Sequence, residues 1–94
     1  MNSDLSKISV GDYLKPSFAL DRLGIEKLRP YQVQEIEGEN IYIRSGFGLL
    51  VPIHGSKILE AEDFGHEAKN VLRSRTWMHI TSAEGERELA KFLF

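Results

Sequence analysis

At 94 residues and 10.7 kDa the chain is the size of one domain. Its 41% hydrophobic and 28% charged residues are an ordinary globular composition, and they fit neither a disordered chain nor a membrane profile. Twelve basic against fourteen acidic residues leave a net charge of −2, which argues against a chain built chiefly to coat polyanions. The absence of cysteine removes disulfides, thiolate nucleophiles and Cys-based metal sites.

The first seven residues carry an early acid and no apolar stretch, so no secretory signal is expected. The longest apolar run, residues 47–53, is interrupted by Gly48 and Pro52 and falls far short of the ~20 residues of a membrane helix. A cytoplasmic protein without membrane contact is expected. No repeat or linker divides the chain, and residues 1–94 read as a single domain.

In chain order, residues 8–14 open the fold, with Gly11-Asp12 turning into a short strand that Pro16 stops. Ser17 is expected to cap a short helical stretch carrying Phe18, Leu20, Leu23 and Ile25, with Gly24 as its stop. Gln32-Val33-Gln34-Glu35-Ile36-Glu37 and Asn40-Ile41-Tyr42-Ile43-Arg44 alternate as two strands around Gly38-Glu39, predicting a β-hairpin. Leu49-Leu50-Val51-Pro52-Ile53 reads as a third strand, and Pro52 places it on an edge or at a bulge. Residues 57–64 read as a short strand or one helical turn.

Further on, Phe64, Ala68, Val71 and Leu72 follow the spacing of one helix face. Residues 76–80 are rich in strand-formers. Thr81-Ser82-Ala83-Glu84 matches a capping box, opening a helix with Leu89, Ala90, Phe92 and Leu93 that Gly85 weakens slightly.

Val10-Gly11-Asp12-Tyr13-Leu14, the insert, Leu28-Arg29-Pro30-Tyr31 leading into the hairpin, and the apolar strand closed by Ile58-Leu59-Glu60 together resemble small SH3-like β-barrels. Such domains are common in short bacterial and phage proteins of uncharacterised function. The resemblance spans residues 9–64 and rests on pattern. The glycine pattern of ribosomal KOW-type barrels and the groove residues of proline-peptide-binding SH3 domains are absent. The expected fold is α+β: a small antiparallel SH3-like barrel over residues 8–64, and a C-terminal helix–strand–helix over residues 65–94.

The histidines raise metal binding first. His54, Glu60, Glu62, Asp63 and His66 lie close in sequence and His79 could join them, yet no HExxH or tight His pair is present. These residues read as turn histidines beside a solvated acidic patch, with no metal and no cofactor expected. Ser45, Ser56, Ser74 and Ser82 fall in turns or caps, none within G-x-S-x-G. Gly55-Ser56-Lys57 reverses the order of a phosphate-binding loop. A non-catalytic protein-binding module is therefore expected, with Tyr31, Tyr42, Arg44 and Trp77 as contact residues. Leu89, Phe92, Leu93 and Phe94 are the candidates for self-association. The alternative is nucleic-acid binding through an aromatic and basic sheet face, with Tyr13, Arg29, Lys69, Arg73 and Arg75 extending the first group.

Overall fold

The hairpin expected around Gly38 is the centre of the molecule. A computed structural model describes residues 7–59 and 75–93. Strands β2 (Tyr31–Glu37) and β3 (Asn40–Arg44) pair antiparallel across Gly38-Glu39, where Gly38 takes a φ of +60° that a side chain would disfavour. Strand β4 (Leu50–His54) pairs antiparallel with β3 and forms one edge of the sheet. Pro52 sits at mid-strand on this edge, as its missing N–H requires.

Strict alternation would put Val33 and Ile36 on opposite faces of β2. The pairing instead shifts register between Val33 and Glu35. One extra residue, Gln34, is absorbed there, so Val33 and Ile36 both turn toward the core beside Ile43 and Ile41.

Strand β1 (Tyr13–Pro16) pairs with β2 on one side and, over four residues, with β6 (Trp77–Ile80) on the other. Strand β5 (Ile58–Leu59) follows a 3-10 turn at Gly55–Lys57 and runs parallel to β6. The sheet order is β4-β3-β2-β1-β6-β5, a six-stranded mixed sheet that is not closed into a barrel. The closed antiparallel barrel expected from the sequence is therefore corrected to an open α+β sheet. Strand β6 lies between β1 and β5, and the β5–β6 pair is parallel.

The inner face carries Leu14, Val33, Ile41, Ile43, Ile53, Ile58 and Trp77, and Ile8, Ile25 and Tyr31 complete this core. Burying each aliphatic side chain of this size contributes about 1.5–3 kcal/mol. The insert between β1 and β2 covers that face, but it is not the capped helix expected. Only Asp21–Leu23 make a 3-10 turn, ended by Gly24 at a φ of +75°. Of the apolar positions 18, 20, 23 and 25 only 20 and 23 stand three or four residues apart, and Leu20 and Ile25 pair as an isolated bridge. Ser17 bonds across the fold rather than capping: its hydroxyl lies 3.0 Å from that of Thr76 and accepts the Thr76 N–H at 3.2 Å.

Helix α1 (Ser82–Leu93) packs on the opposite face of the sheet, against β1 and β2. Thr81 caps it as expected, its hydroxyl accepting the Glu84 N–H at 3.3 Å. Glu88 on α1 pairs with Lys15 of β1 at 2.6 Å. The expected helix over Phe64, Ala68, Val71 and Leu72 lies outside the described residues, as does Phe94. Among the described residues no helix is long and apolar enough to cross a membrane.

Candidate interaction surface

Where β3 passes into β4, one buried serine organises the chain. The Ser45 hydroxyl accepts the N–H groups of Phe47 (3.3 Å) and Leu49 (3.2 Å), while its own N–H donates to the Leu49 carbonyl at 2.8 Å. Arg44 Nη1 donates to the Gly48 carbonyl at 2.9 Å, and Gly46 N–H donates to the Gly24 carbonyl at 2.9 Å. This bonding holds the turn backbone against the insert and leaves its apolar side chains outside. Phe47, Leu49 and Leu50 are 67%, 46% and 51% exposed. Three large apolar side chains within four residues form a local patch of the kind that marks contact surfaces.

The outer face of the hairpin continues from this turn. Cross-strand neighbours share a face, so Leu50 lies beside Arg44 and Pro52 lies beside Tyr42. Tyr42 is half-buried and Arg44 exposed. Glu35 is Tyr42's neighbour on β2, and Glu37 and Glu39 are exposed toward the hairpin end. Tyr42 thus has the Glu35 carboxylate as a cross-strand neighbour, an unfavourable setting there for a phosphate backbone.

The structure does not bring the four expected contact residues together on one surface. Tyr31 and Trp77 are buried in the core, where Trp77 meets Phe18 edge-on at 5.3 Å and Tyr31 at 6.4 Å between ring centroids. The Tyr31 hydroxyl accepts the Glu26 N–H at 2.6 Å and donates to the Gly24 carbonyl at 3.0 Å. The Arg29 guanidinium lies over its ring, 5.2 Å from the centroid. On α1, Leu89 is half-buried, whereas Phe92 and Leu93 are exposed. The turn residues Phe47, Leu49 and Leu50 had only one sequence signal, an apolar run set between glycines.

Burial holds the Tyr31 phenol above the usual tyrosine range of about 10; its bond from the Glu26 backbone and the nearby Arg29 oppose that shift only in part. A folded-state pKa above the unfolded value gives stability that is complete below the unfolded value and is lost as pH rises through the folded one. Resistance to urea unfolding should therefore fall as pH climbs above about 10. Tyr31→Phe should flatten part of that decline and should cost about 1–2 kcal/mol at neutral pH, where Glu26 N–H and the Gly24 carbonyl lose a partner. An unchanged alkaline slope in the variant would count against this account. Burial, with Glu86 nearby, also raises Tyr13, so some slope should persist.

Two other polar groupings hold the chain locally. Ser56 Oγ lies 2.8 Å from His54 Nδ1, and His54 Nε2 lies 3.1 Å from Glu39 Oε2. The order is that of nucleophile, base and acid, but His54 Nδ1 also accepts the Ser56 N–H at 3.1 Å, and His54 and Glu39 are well exposed. This arrangement caps the 3-10 turn. His79 pairs with Asp12 at 2.8 Å, and Asp12 also accepts the Ser9 N–H. No group of three His, Cys, Asp or Glu side chains suited to a metal ion occurs among the described residues. The Glu60, Glu62, Asp63 and His66 cluster lies outside them.

The fold and this surface define a small mixed-sheet α+β domain with an apolar turn at one end of its hairpin. Comparison of the chain with protein-family models, with curated proteins and with solved structures finds no match.

Proposed function

We propose that this domain is a non-catalytic protein-binding module, of cytoplasmic origin and related to small SH3-like domains, that contacts its partner through the β3–β4 turn. The observation that carries the reading is the exposure of Phe47, Leu49 and Leu50 on a turn whose backbone is held by Ser45 and Gly24. An ordered loop presenting large apolar side chains loses little entropy on binding. Tyr42, Arg44 and Pro52 extend that contact along the outer face. The run of strand, insert, hairpin, apolar strand and short closing strand supports the SH3-like relationship, with β6 as an addition to it.

Peptide-display selection against the folded domain tests the proposal. It should yield binders whose affinity falls at least about tenfold in a Phe47→Ser/Leu50→Ser double variant, as truncating interface anchors does. The variant should unfold at nearly the wild-type urea midpoint, because both side chains are exposed. No enrichment, or binders indifferent to the double variant, would reject the proposal. Salt-sensitive binding of an oligonucleotide abolished by Arg44→Glu would instead support the nucleic-acid reading. The exposure of Phe92 and Leu93 on α1 favours a second contact, self-association, which sedimentation of wild type against Phe92→Ala would read.

A further inference from the structure

Strand β4 is an edge of the sheet, and its pairing with β3 decides where its free backbone groups point. At one end of the pair the Ser45 N–H donates to the Leu49 carbonyl, and at the other the Gly55 N–H donates to the Glu39 carbonyl at 2.8 Å. The register between these ends is unbroken, with Ile43 opposite Val51 and Ile41 opposite Ile53. Bonded and non-bonded positions alternate in an antiparallel pair, so residues 49, 51, 53 and 55 bond toward β3. Positions 50, 52 and 54 turn their backbone groups the other way. The Leu50 N–H, the Leu50 and Pro52 carbonyls and the His54 N–H therefore face outward, and no described strand pairs with them. Pro52 removes one donor from this edge and leaves the rest.

Alongside this edge runs a groove of about 190 Å³. Val51 on β4, Phe18 and Leu20 on the insert and Trp77 on β6 give it apolar walls. Phe18, Leu20 and Val51 are only partly buried, so apolar surface is left open there. Lys57 and Arg75 line the same groove, with the Arg75 guanidinium 5.9 Å from the centre of the Phe18 ring. Neither cation has a carboxylate partner among the described residues. Small-molecule sites measure roughly 300–1,000 Å³, so a groove of this size suits the side chains of an added strand better.

We propose that the β4 edge takes up an extended, acidic segment of a partner protein as an additional strand. This rests on the protein-binding reading above and adds how the partner is held. Strand addition draws affinity from main-chain bonds and specificity from alternate side chains. Residues of the added strand level with Val51 and Ile53 share their inner face and enter the groove, so they are apolar. Those beside Leu50 and Pro52 lie on the outer face, continuous with the Phe47 turn. Lys57 follows β4 directly after His54, so the carboxylate belongs at that end of the added strand. A second copy of this chain fits less well. Pairing symmetrically about Pro52 sets two prolines face to face and loses both central donors, whereas a strand without proline loses one.

The test is a titration of the folded protein with the peptide acetyl-Glu-Thr-Val-Thr-Val-Thr-Glu-amide, read by amide shifts in two-dimensional NMR. Its valines and glutamates share one face and its threonines the other. Saturable shifts should centre on the amides of Leu50, Val51, Ile53 and His54. Replacing both glutamates with lysine should weaken binding at least about fivefold. Only alternate amides of the peptide face β4, those of threonine in an antiparallel pairing and those of valine in a parallel one. N-methylating all threonines or all valines should therefore abolish binding in one case and largely spare it in the other, which also reads the orientation. On the protein side, His54 has a φ of −71° and an outward N–H, so proline fits its backbone and removes that edge donor. His54→Pro should weaken the peptide at least about fivefold relative to His54→Ala, which also lacks the imidazole but keeps the N–H. Absence of saturable shifts would overturn the proposal, as would a lysine peptide that binds equally well. So would the same outcome in both methylated peptides, or equal affinity in His54→Pro and His54→Ala. Display-selected binders that need Phe47 and Leu50 yet ignore His54→Pro would overturn strand addition and leave the turn contact standing.

Discussion

Trp77→Ala should cost about 3–5 kcal/mol, a large fraction of the roughly 5–15 kcal/mol of folding free energy expected for a domain of this size. Trp77 is 4% exposed and stands on the inner face of β6, with Pro16 of β1 opposite it on one side and Ile58 of β5 on the other. Its ring is also the edge-on partner of both Phe18 and Tyr31. Truncation would open a cavity where the insert, β1 and β5 meet, and none of these can close in without losing its own pairing. Circular dichroism during urea unfolding should show a transition at much lower urea, or none at all. Trp77→Phe keeps an aromatic ring and should fall between. Tyr42→Ala, on the half-buried outer face, should cost no more than about 1 kcal/mol. The contrast decides what kind of residue Trp77 is. A Trp77→Ala variant as stable as wild type but unable to bind selected peptides would make it a contact residue and would contradict its place in the core.

Both tryptophan and tyrosine show why the site was less legible than the strands. Alternation and a turn glycine are local signals, and they located the β2–β3 hairpin and the edge position of Pro52. The Thr81 cap was equally local. Tyr31 offers a large ring and a polar tip, and such a residue serves equally well at a surface or in a core. Its burial follows from the insert folding back to supply Glu26 N–H and the Gly24 carbonyl as partners for its hydroxyl. Nothing within a few residues of Tyr31 encodes that. The same holds for barrel closure. β5 is two residues long, whereas β6 offers β1 four consecutive partners from the far end of the chain. That competition between pairings separated by more than sixty residues has no periodicity to read. Phe47, Leu49 and Leu50 were visible as apolar residues, but their outward direction depends on Ser45 turning inward to hold the turn.

Gly85→Ala tests a contact that local propensity misjudges. In an exposed helix position this change would stabilise by about 1 kcal/mol, because alanine is the better helix former. Here it should destabilise by about 2 kcal/mol, since overfilling a packed contact costs about 1–3 kcal/mol and larger overlaps sit at the upper end. Gly85 is the buried residue of α1, and a methyl group there would overlap the Tyr13 ring and stand 2.7 Å from Tyr13 Cβ. The ring's far end can swing, but its Cβ is fixed to β1 and cannot retreat, so α1 must lift. Lifting α1 also strains the Lys15–Glu88 pair two residues along the strand. The glycine is thus the condition for close approach of helix to sheet, and its helix penalty is outweighed by that packing. In thermal unfolding, about 2 kcal/mol corresponds to a fall of roughly 8–16 °C for a domain of this length. A Tyr13→Ser/Gly85→Ala double variant should lose less than the two single changes added together, because removing the ring removes the clash. A rise in stability in Gly85→Ala alone would mean that α1 does not rest on Tyr13, and the placement of the helix on β1 would have to be abandoned.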